Sequence, residues 1–258
     1  MSKRIVDTST DSAWEEWGSR DPYFGVLTHP KYRRCAMTEE DRKTFFESGR
    51  LHVQYVMQTV RTHLDSNFVP GSILDFGCGV GRTLVAFAQL TPEAVGLDIS
   101  ASMLQEANSN CQERGLTNVS LFRSDDALSA IARPFDLIHS SIVFQHIPAA
   151  RGRLIFRSLL SLLAPRGIGA IHFLYAKSQY KETYGASPAA TAPRFSLMRT
   201  KAPSPPVPRS GSDPAIEMNP YNLNEILFLV QQAGAQRLYV DFTDHGGELG
   251  LMIFFQMA

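Results

Sequence analysis

The residues whose types and spacing could do chemistry together begin with Asp75, Gly77, Gly79 and Gly81 in the run Asp75-Phe76-Gly77-Cys78-Gly79-Val80-Gly81-Arg82. Glycines without Cβ let a ligand approach the backbone, and a helix N-terminus behind them presents free N–H groups. Such a turn suits a nucleotide or nucleoside. Further on, Val95-Gly96-Leu97-Asp98 ends in an acid suited to accept hydrogen bonds from vicinal ribose hydroxyls. Nucleoside triphosphate hydrolysis would need a lysine after the turn, and Gly81-Arg82-Thr83 has none. The dinucleotide fingerprint would need glycine where Arg82 stands. Asp98 supports a ribose ligand without choosing between a nicotinamide and an adenosyl compound.

The elements that must position these residues follow from periodicity. Short apolar runs at 73–76, 94–97, 119–123, 135–142 and 168–175 read as strands, alternating with helices over about 82–90, 101–114 and 149–164. In the second helix Ser102 and Gln105 have capping-box spacing, and Gly115 is a stop. Alternation of this kind predicts an α/β, doubly wound, mostly parallel sheet with ligands at the carboxyl ends of its strands. That rule brings the glycine turn, Asp98, Asp125 and Gln145-His146 to one rim. After a helix over 222–233, strands at 236–242 and 249–255 joined by a Gly-containing link predict an antiparallel edge hairpin. It raises the strand count to seven.

Ahead of the sheet, residues 1–20 read as a loosely held polar arm, and 21–27 as a segment packed by its aromatics or a flap over the ligand. Two helices are expected next, one capped by Thr38 and ending near 47, the other over 51–64, with a Ser48-Gly49-Arg50 joint. Arg50 reads either as a solvated charge or as a group reaching a ligand carboxylate. Residues 1–69 are thus an N-terminal arm and helical cap on a core spanning 70–258, one structural domain overall. Residues 176–220 hold a Pro-rich insertion, either a surface excursion or a substrate lid.

The 258 residues carry no net charge, which disfavours a nucleic-acid or membrane partner and favours a small molecule. Cysteines 35, 78 and 111 are odd in number and far apart, against a disulfide framework or a metal cluster, and imply a cytoplasmic setting. No run approaches the length of a membrane span.

Five segments in order then resemble the successive motifs of class I S-adenosylmethionine-dependent methyltransferases. These are 73–81, 95–100 with Met103, Leu104 and Ala107, 118–126, 135–138, and 163–169. The resemblance implies a Rossmann-like seven-stranded fold with S-adenosylmethionine as cofactor. It places Gly77, Gly79 and Gly81 against the methionyl part, with Asp75 helping to hold its ammonium group. Asp98 falls on the ribose and Ile99 beside the adenine. Asp125 falls at the adenine amino group, uncertain by one residue because Asp126 follows. Residues 140–145, with Gln145 at their end, would line the reactive end.

Methyl transfer is an in-line displacement, and a hydroxyl acceptor gains from a base near neutral pKa. His146 is the candidate base, or else a residue that fixes its loop. His172 reads as structural or pocket-lining. Tyr23, Tyr221, Asn222 and His245 are candidate acceptor contacts. The expected function is methyl transfer to a small molecule, O-methylation favoured over N- or C-methylation or a peptide acceptor. The rival is a scaffold that keeps the fold and the cofactor but transfers nothing.

Overall fold

A computed structural model describes residues 9–177 and 213–258. Its seven strands are β1 (Ser72–Phe76), β2 (Glu93–Asp98), β3 (Val119–Arg123), β4 (Phe135–Ser140), β5 (Leu163–Lys177), β6 (Ala235–Asp244) and β7 (Glu248–Met257). They form one sheet in the order β3-β2-β1-β4-β5-β7-β6. The first five pair in parallel, and β7 runs antiparallel to both β5 and β6. This is the doubly wound arrangement expected, and the order reverses between β1 and β4, the switch point where ligands bind.

Helices cover both faces because the central strands are apolar on both sides. On one face α6 (Ala149–Ser161) and α7 (Leu223–Gln232) bury Ile155, Phe156, Leu159, Ile226 and Val230 against Leu74, Ile138, Phe173 and Phe255. On the other, α3 (Glu39–His63) and α4 (Leu84–Ala88) set Val53, Val56, Val60 and Phe87 on Ile73, Leu137, Ala170 and Phe254. Glycines 115 and 234, after α5 (Ala101–Glu113) and α7, have positive φ as helix stops require.

Three local expectations are corrected. Residues 39–63 form one helix, opened by a Thr38–Asp41 capping box and unbroken at the proposed joint. Gly49 faces the main chain of Arg82, and a Cβ there would lie 2.7 Å from the Arg82 carbonyl carbon. The glycine thus marks close packing inside a helix. Residues 9–20 are no loose arm: α1 (Ser9–Arg20) buries Trp17 with Phe24 of α2 (Pro22–Val26), Phe45 and Met103. Finally, Ser100 caps α5 and bonds the Met103 N–H, while the Ser102 hydroxyl donates to Glu15 of α1. The Pro-rich insertion lies outside the described residues over 178–212.

Gly49→Ala discriminates between the two readings of that glycine. Helix propensity alone would stabilise the protein by about 1 kcal/mol, whereas overpacking against a backbone carbonyl costs about 1–3 kcal/mol. We expect the thermal midpoint to fall by several degrees; a rise would show Gly49 to be only a weak point in the helix.

Candidate active site

At the end of β1 the chain turns through Gly77, Gly79 and Gly81 with φ of 73°, 53° and 85°. The left-handed values exclude most side chains, and space excludes them again. A Cβ on Gly77 would collide with Val143, and one on Gly79 would lie 2.7 Å from Val26 Cγ2. The turn is locked to the neighbouring strand: the N–H groups of Gly77 and Cys78 both donate to the Leu97 carbonyl, at 2.7 and 2.9 Å.

Asp98 completes the lock. Its Oδ2 accepts from the Gly79 N–H at 2.8 Å and its Oδ1 from the Ser100 N–H at 2.9 Å. Each oxygen keeps a second lone pair for a ligand donor. Burial pushes the Asp98 carboxyl up to about 6, against the two backbone bonds that favour its charged form.

A cavity of about 920 Å³, with the open space at its mouth included, lies over this turn. Gly77, Gly79, Asp98, Ile99, Asp125, Asp126 and His146 line it, as do Ser141, Ile142 and Val143 beyond β4. Ile142 has φ of 61°, an unusual left-handed state for a β-branched residue, so β4 ends at Ser140 and residues 141–143 turn to wall the cavity.

The aspartate doublet divides its work. Asp125 Oδ1 accepts from the Ser129 N–H at 2.9 Å, and these local bonds hold its carboxyl below the usual range. Asp126 bonds Arg151 Nε at 2.8 Å. Arg151 in turn grips Asp11 of α1 with both terminal nitrogens, at 2.6 and 2.9 Å. With Thr10 Oγ1 donating to the His146 carbonyl at 2.9 Å, these bonds tie α1 across the cavity, where Trp14 forms part of the wall.

His146 follows β4 on a 3-10 turn, Phe144–His146, mostly buried. Its Nδ1 lies 2.8 Å from the Glu217 carbonyl oxygen, which can only accept, so Nδ1 carries a proton, and in the neutral ring the lone pair is on Nε2. The Gln145 amide nitrogen lies 3.3 Å from that Nε2.

Several expected site residues lie off the cavity wall. Asp75 is buried beneath the turn, its oxygens accepting from Thr83 Oγ1 at 2.8 Å and His139 Nδ1 at 2.7 Å, so it braces β1 and β4. Gly81 shapes the turn, with Ala107 packed 3.6 Å from where its Cβ would be. Gln145 points to His146 and Met218. Tyr23 donates to Glu106 at 2.7 Å inside the α2–α5 contact. Tyr221 is buried and donates to the Ile147 carbonyl at 2.9 Å. Asn222 is the N-cap of α7. His245 sits on the exposed link between β6 and β7. His172 bonds Thr243 at 2.9 Å, and burial lowers its pKa to about 3. Arg50 is a solvated charge paired with Glu47.

Sequence reasoning missed the α1 contributors Thr10, Asp11 and Trp14, along with Arg82 and Arg151. Arg151 carried a signal in retrospect, an arginine on the buried face of an amphipathic helix, which needs partners.

A glycine cradle that any Cβ would fill, with a carboxylate at the end of the next strand and open switch-point space beyond, defines a nucleoside-cofactor site of the methyltransferase type. Residues 73–167 match the family described as a methyltransferase domain. The chain is 36% identical over 111 residues to an aklanonic acid methyltransferase of Streptomyces sp. strain C5, covering 41% of this chain and 50% of that one. It is 30% identical over 118 residues to the 2-heptyl-1-hydroxyquinolin-4(1H)-one methyltransferase of Mycobacteroides abscessus, covering 45% and 52%. The chain thus spans about half the length of these curated relatives. In fold it is similar to magnesium protoporphyrin IX methyltransferase from Synechocystis PCC 6803 with bound SAH, with TM-score 0.62 at 16% identity over 96% of this chain and 100% of that one. Residues 73–167 are thus similar to a methyltransferase domain, and the fold around them is that of the neighbouring methyltransferase structures. Among the described residues no helix is long and apolar enough to cross a membrane.

Arg151→Met should loosen α1, because Asp11 and Asp126 lose their shared hydrogen-bonded cation, at a cost of about 1–3 kcal/mol. Chymotryptic cleavage at Trp14 and Trp17 of the folded protein should speed up about tenfold or more. Unchanged protection would show that the apolar contacts of Trp17 hold the helix alone.

Proposed function

We propose that this chain transfers a methyl group from S-adenosylmethionine to a small-molecule acceptor, an oxygen acceptor being favoured over nitrogen or carbon. The observation that carries the reading is one cavity holding the glycine turn and Asp98 together with a histidine whose Nδ1 donates to the Glu217 carbonyl, which leaves Nε2 as the basic nitrogen of the neutral ring. The small-molecule class is supported by the names of the two curated relatives and by a chain without net charge. When bound, the cofactor supplies a methyl on a sulfonium, a leaving group already activated.

The chain's own residues then orient, enclose and take up a proton. Gly77 and Gly79 admit the methionyl part to the backbone, and Asp98 accepts from the ribose hydroxyls. Ile99 flanks the adenine. Asp125 is the acid we assign to the adenine amino group, because Asp126 is held by Arg151. Residues 141–143 wall the reactive end, and His146 Nε2 takes the acceptor's proton. Asp75, Gln145, Tyr221 and Asn222 support this machinery from outside the cavity. The layer 9–69 is read as a cap on a single structural domain.

Calorimetry with S-adenosylmethionine, followed by a methyl-donor assay over an acceptor panel, tests the proposal. Binding without transfer to any acceptor would replace it with a cofactor-binding scaffold. His146→Ala should leave cofactor affinity intact and lower turnover about 10²- to 10⁴-fold; full turnover would remove its role as base.

The state of Asp98 sets a pH dependence. Its carboxyl is half protonated near 6 in the free protein, and ribose hydroxyls donate to the carboxylate. Binding therefore weakens as pH falls through that value, with affinity about tenfold lower near pH 5 than near pH 7. Asp98→Asn should bind weakly and lose this pH dependence; an unchanged profile would assign it to another group.

A further inference from the structure

Strand β6 ends the sheet, with no strand beyond it among the described residues. It is ten residues long, against five for β3 at the opposite edge. An open edge of that length offers a row of unpaired N–H and C=O groups, and proteins blunt such edges with proline, lysine, bulges or a covering element. Ala235–Asp244 contains neither proline nor lysine. Its register against β7 shifts once, between Ala235 and Arg237, and is regular from there to Asp244.

The two faces of the strand differ. Toward α3 its side chains are satisfied within their own chain: Arg237 donates to the Leu64 carbonyl, Tyr239 stacks on His63 with ring centroids 3.7 Å apart, and Asp241 accepts from Tyr55 and Tyr239 at 2.7 and 2.8 Å. Toward α7 the strand alternates Leu238, Val240 and Phe242. Val240 packs on the core, while Leu238 is 47% and Phe242 78% exposed. No large apolar side chain among the described residues is more exposed than Phe242. Helix α7, which packs under β6, adds exposed Leu227 and Phe228. An apolar strip beside an open strand edge marks a surface that a partner covers.

The order of residues along β6 selects that partner. When a second copy runs antiparallel about a two-fold axis through Val240, Leu238 of each copy faces Phe242 of the other, on either side of the paired valines. Gln236 then faces the Asp244 carboxylate, and Arg237 lies diagonally across from Asp241. The cationic start of each strand meets the acidic end of the other. A parallel copy in register would instead set Arg237 on Arg237 and Asp241 on Asp241, which is repulsive.

We propose that this chain forms a two-fold dimer through β6, which joins the two seven-stranded sheets edge to edge. Strands β5 and β6 both run antiparallel to β7 and so share one direction. An antiparallel junction at β6 therefore turns the carboxyl rims of the two copies to opposite edges of the joined sheet. Each cavity opens away from the other and is complete within its own chain, so the dimer does not depend on the cofactor reading above.

The test is the light-scattering mass of the chain over a concentration series. Wild type should have twice the mass of one chain at micromolar concentration. The double variant Leu238→Lys, Phe242→Lys places like charges opposite one another and should weaken association about a hundredfold or more, with the far-ultraviolet circular dichroism of a folded chain because both positions are exposed. Phe122→Lys, on the β3 edge, should leave the dimer intact. The register is read by thiol pairing in a Cys35→Ser background, which removes the exposed cysteine. A mixture of Leu238→Cys and Phe242→Cys chains should form a disulfide between copies on mild oxidation about tenfold faster than either variant alone. A wild type that is monomeric at every concentration, its edge covered within its own chain, would overturn the proposal. So would a dimer that survives the double substitution or separates on Phe122→Lys, and equal rates of disulfide formation would overturn the axis at Val240.

Discussion

The bond from the Gly79 N–H to Asp98 is the constraint on which the rest of the site depends. It joins the turn after β1 to the end of β2, so the two parts of a nucleoside site that lie far apart in sequence are set in one geometry. The bond exists because three glycines take left-handed φ values and bring the N–H round to the carboxylate. Beneath it, a polar chain runs from Thr83 through Asp75 and His139 to His52, with a 2.9 Å contact between the two imidazoles. Burial keeps the His52 pKa far below its ordinary value. The chain therefore braces β1 against β4 and α3, and His52 brings no positive charge beside Arg82.

What the sequence made legible followed from local rules. Strand and helix alternation, the glycine spacing and the acid after β2 each report on a few adjacent residues, and all reappear in the sheet order and on the cavity wall. What it concealed depends on contacts between distant segments. Gly49 looked like a helix break because its packing partner, the Arg82 carbonyl, is 33 residues away. Tyr23, Tyr221 and Asn222 had the right chemistry for acceptor contacts but spend it on Glu106, the Ile147 carbonyl and a helix cap. A polar side chain near a site is ambiguous until its other partners are known.

The roof of the cavity comes from elements outside the sheet. Helix α1 is held by an ionic grip on Arg151, a hydroxyl bond to the His146 carbonyl and a carboxylate on Ser102. Residues 213–222 run past the same loop, anchored by Arg33 on Asp213 and by the Asn219 N–H on the Gln145 carbonyl at 2.6 Å. His146 is therefore oriented from both sides, by α1 on its main chain and by the Glu217 carbonyl on its ring. A closed cavity excludes water, and the residues that roof this one come from before and after the matched stretch 73–167.

The position of β7 bears on how the molecule is made. It lies between β5 and β6, although both precede it in sequence. During synthesis β5 presents a bare edge, and β6 has no neighbour, until residues 248–257 are available to fill the gap. Folding on the ribosome therefore cannot be strictly vectorial. The apolar run Leu251 to Phe255 must insert between two waiting strands, and an exposed strand edge is where unintended pairing begins.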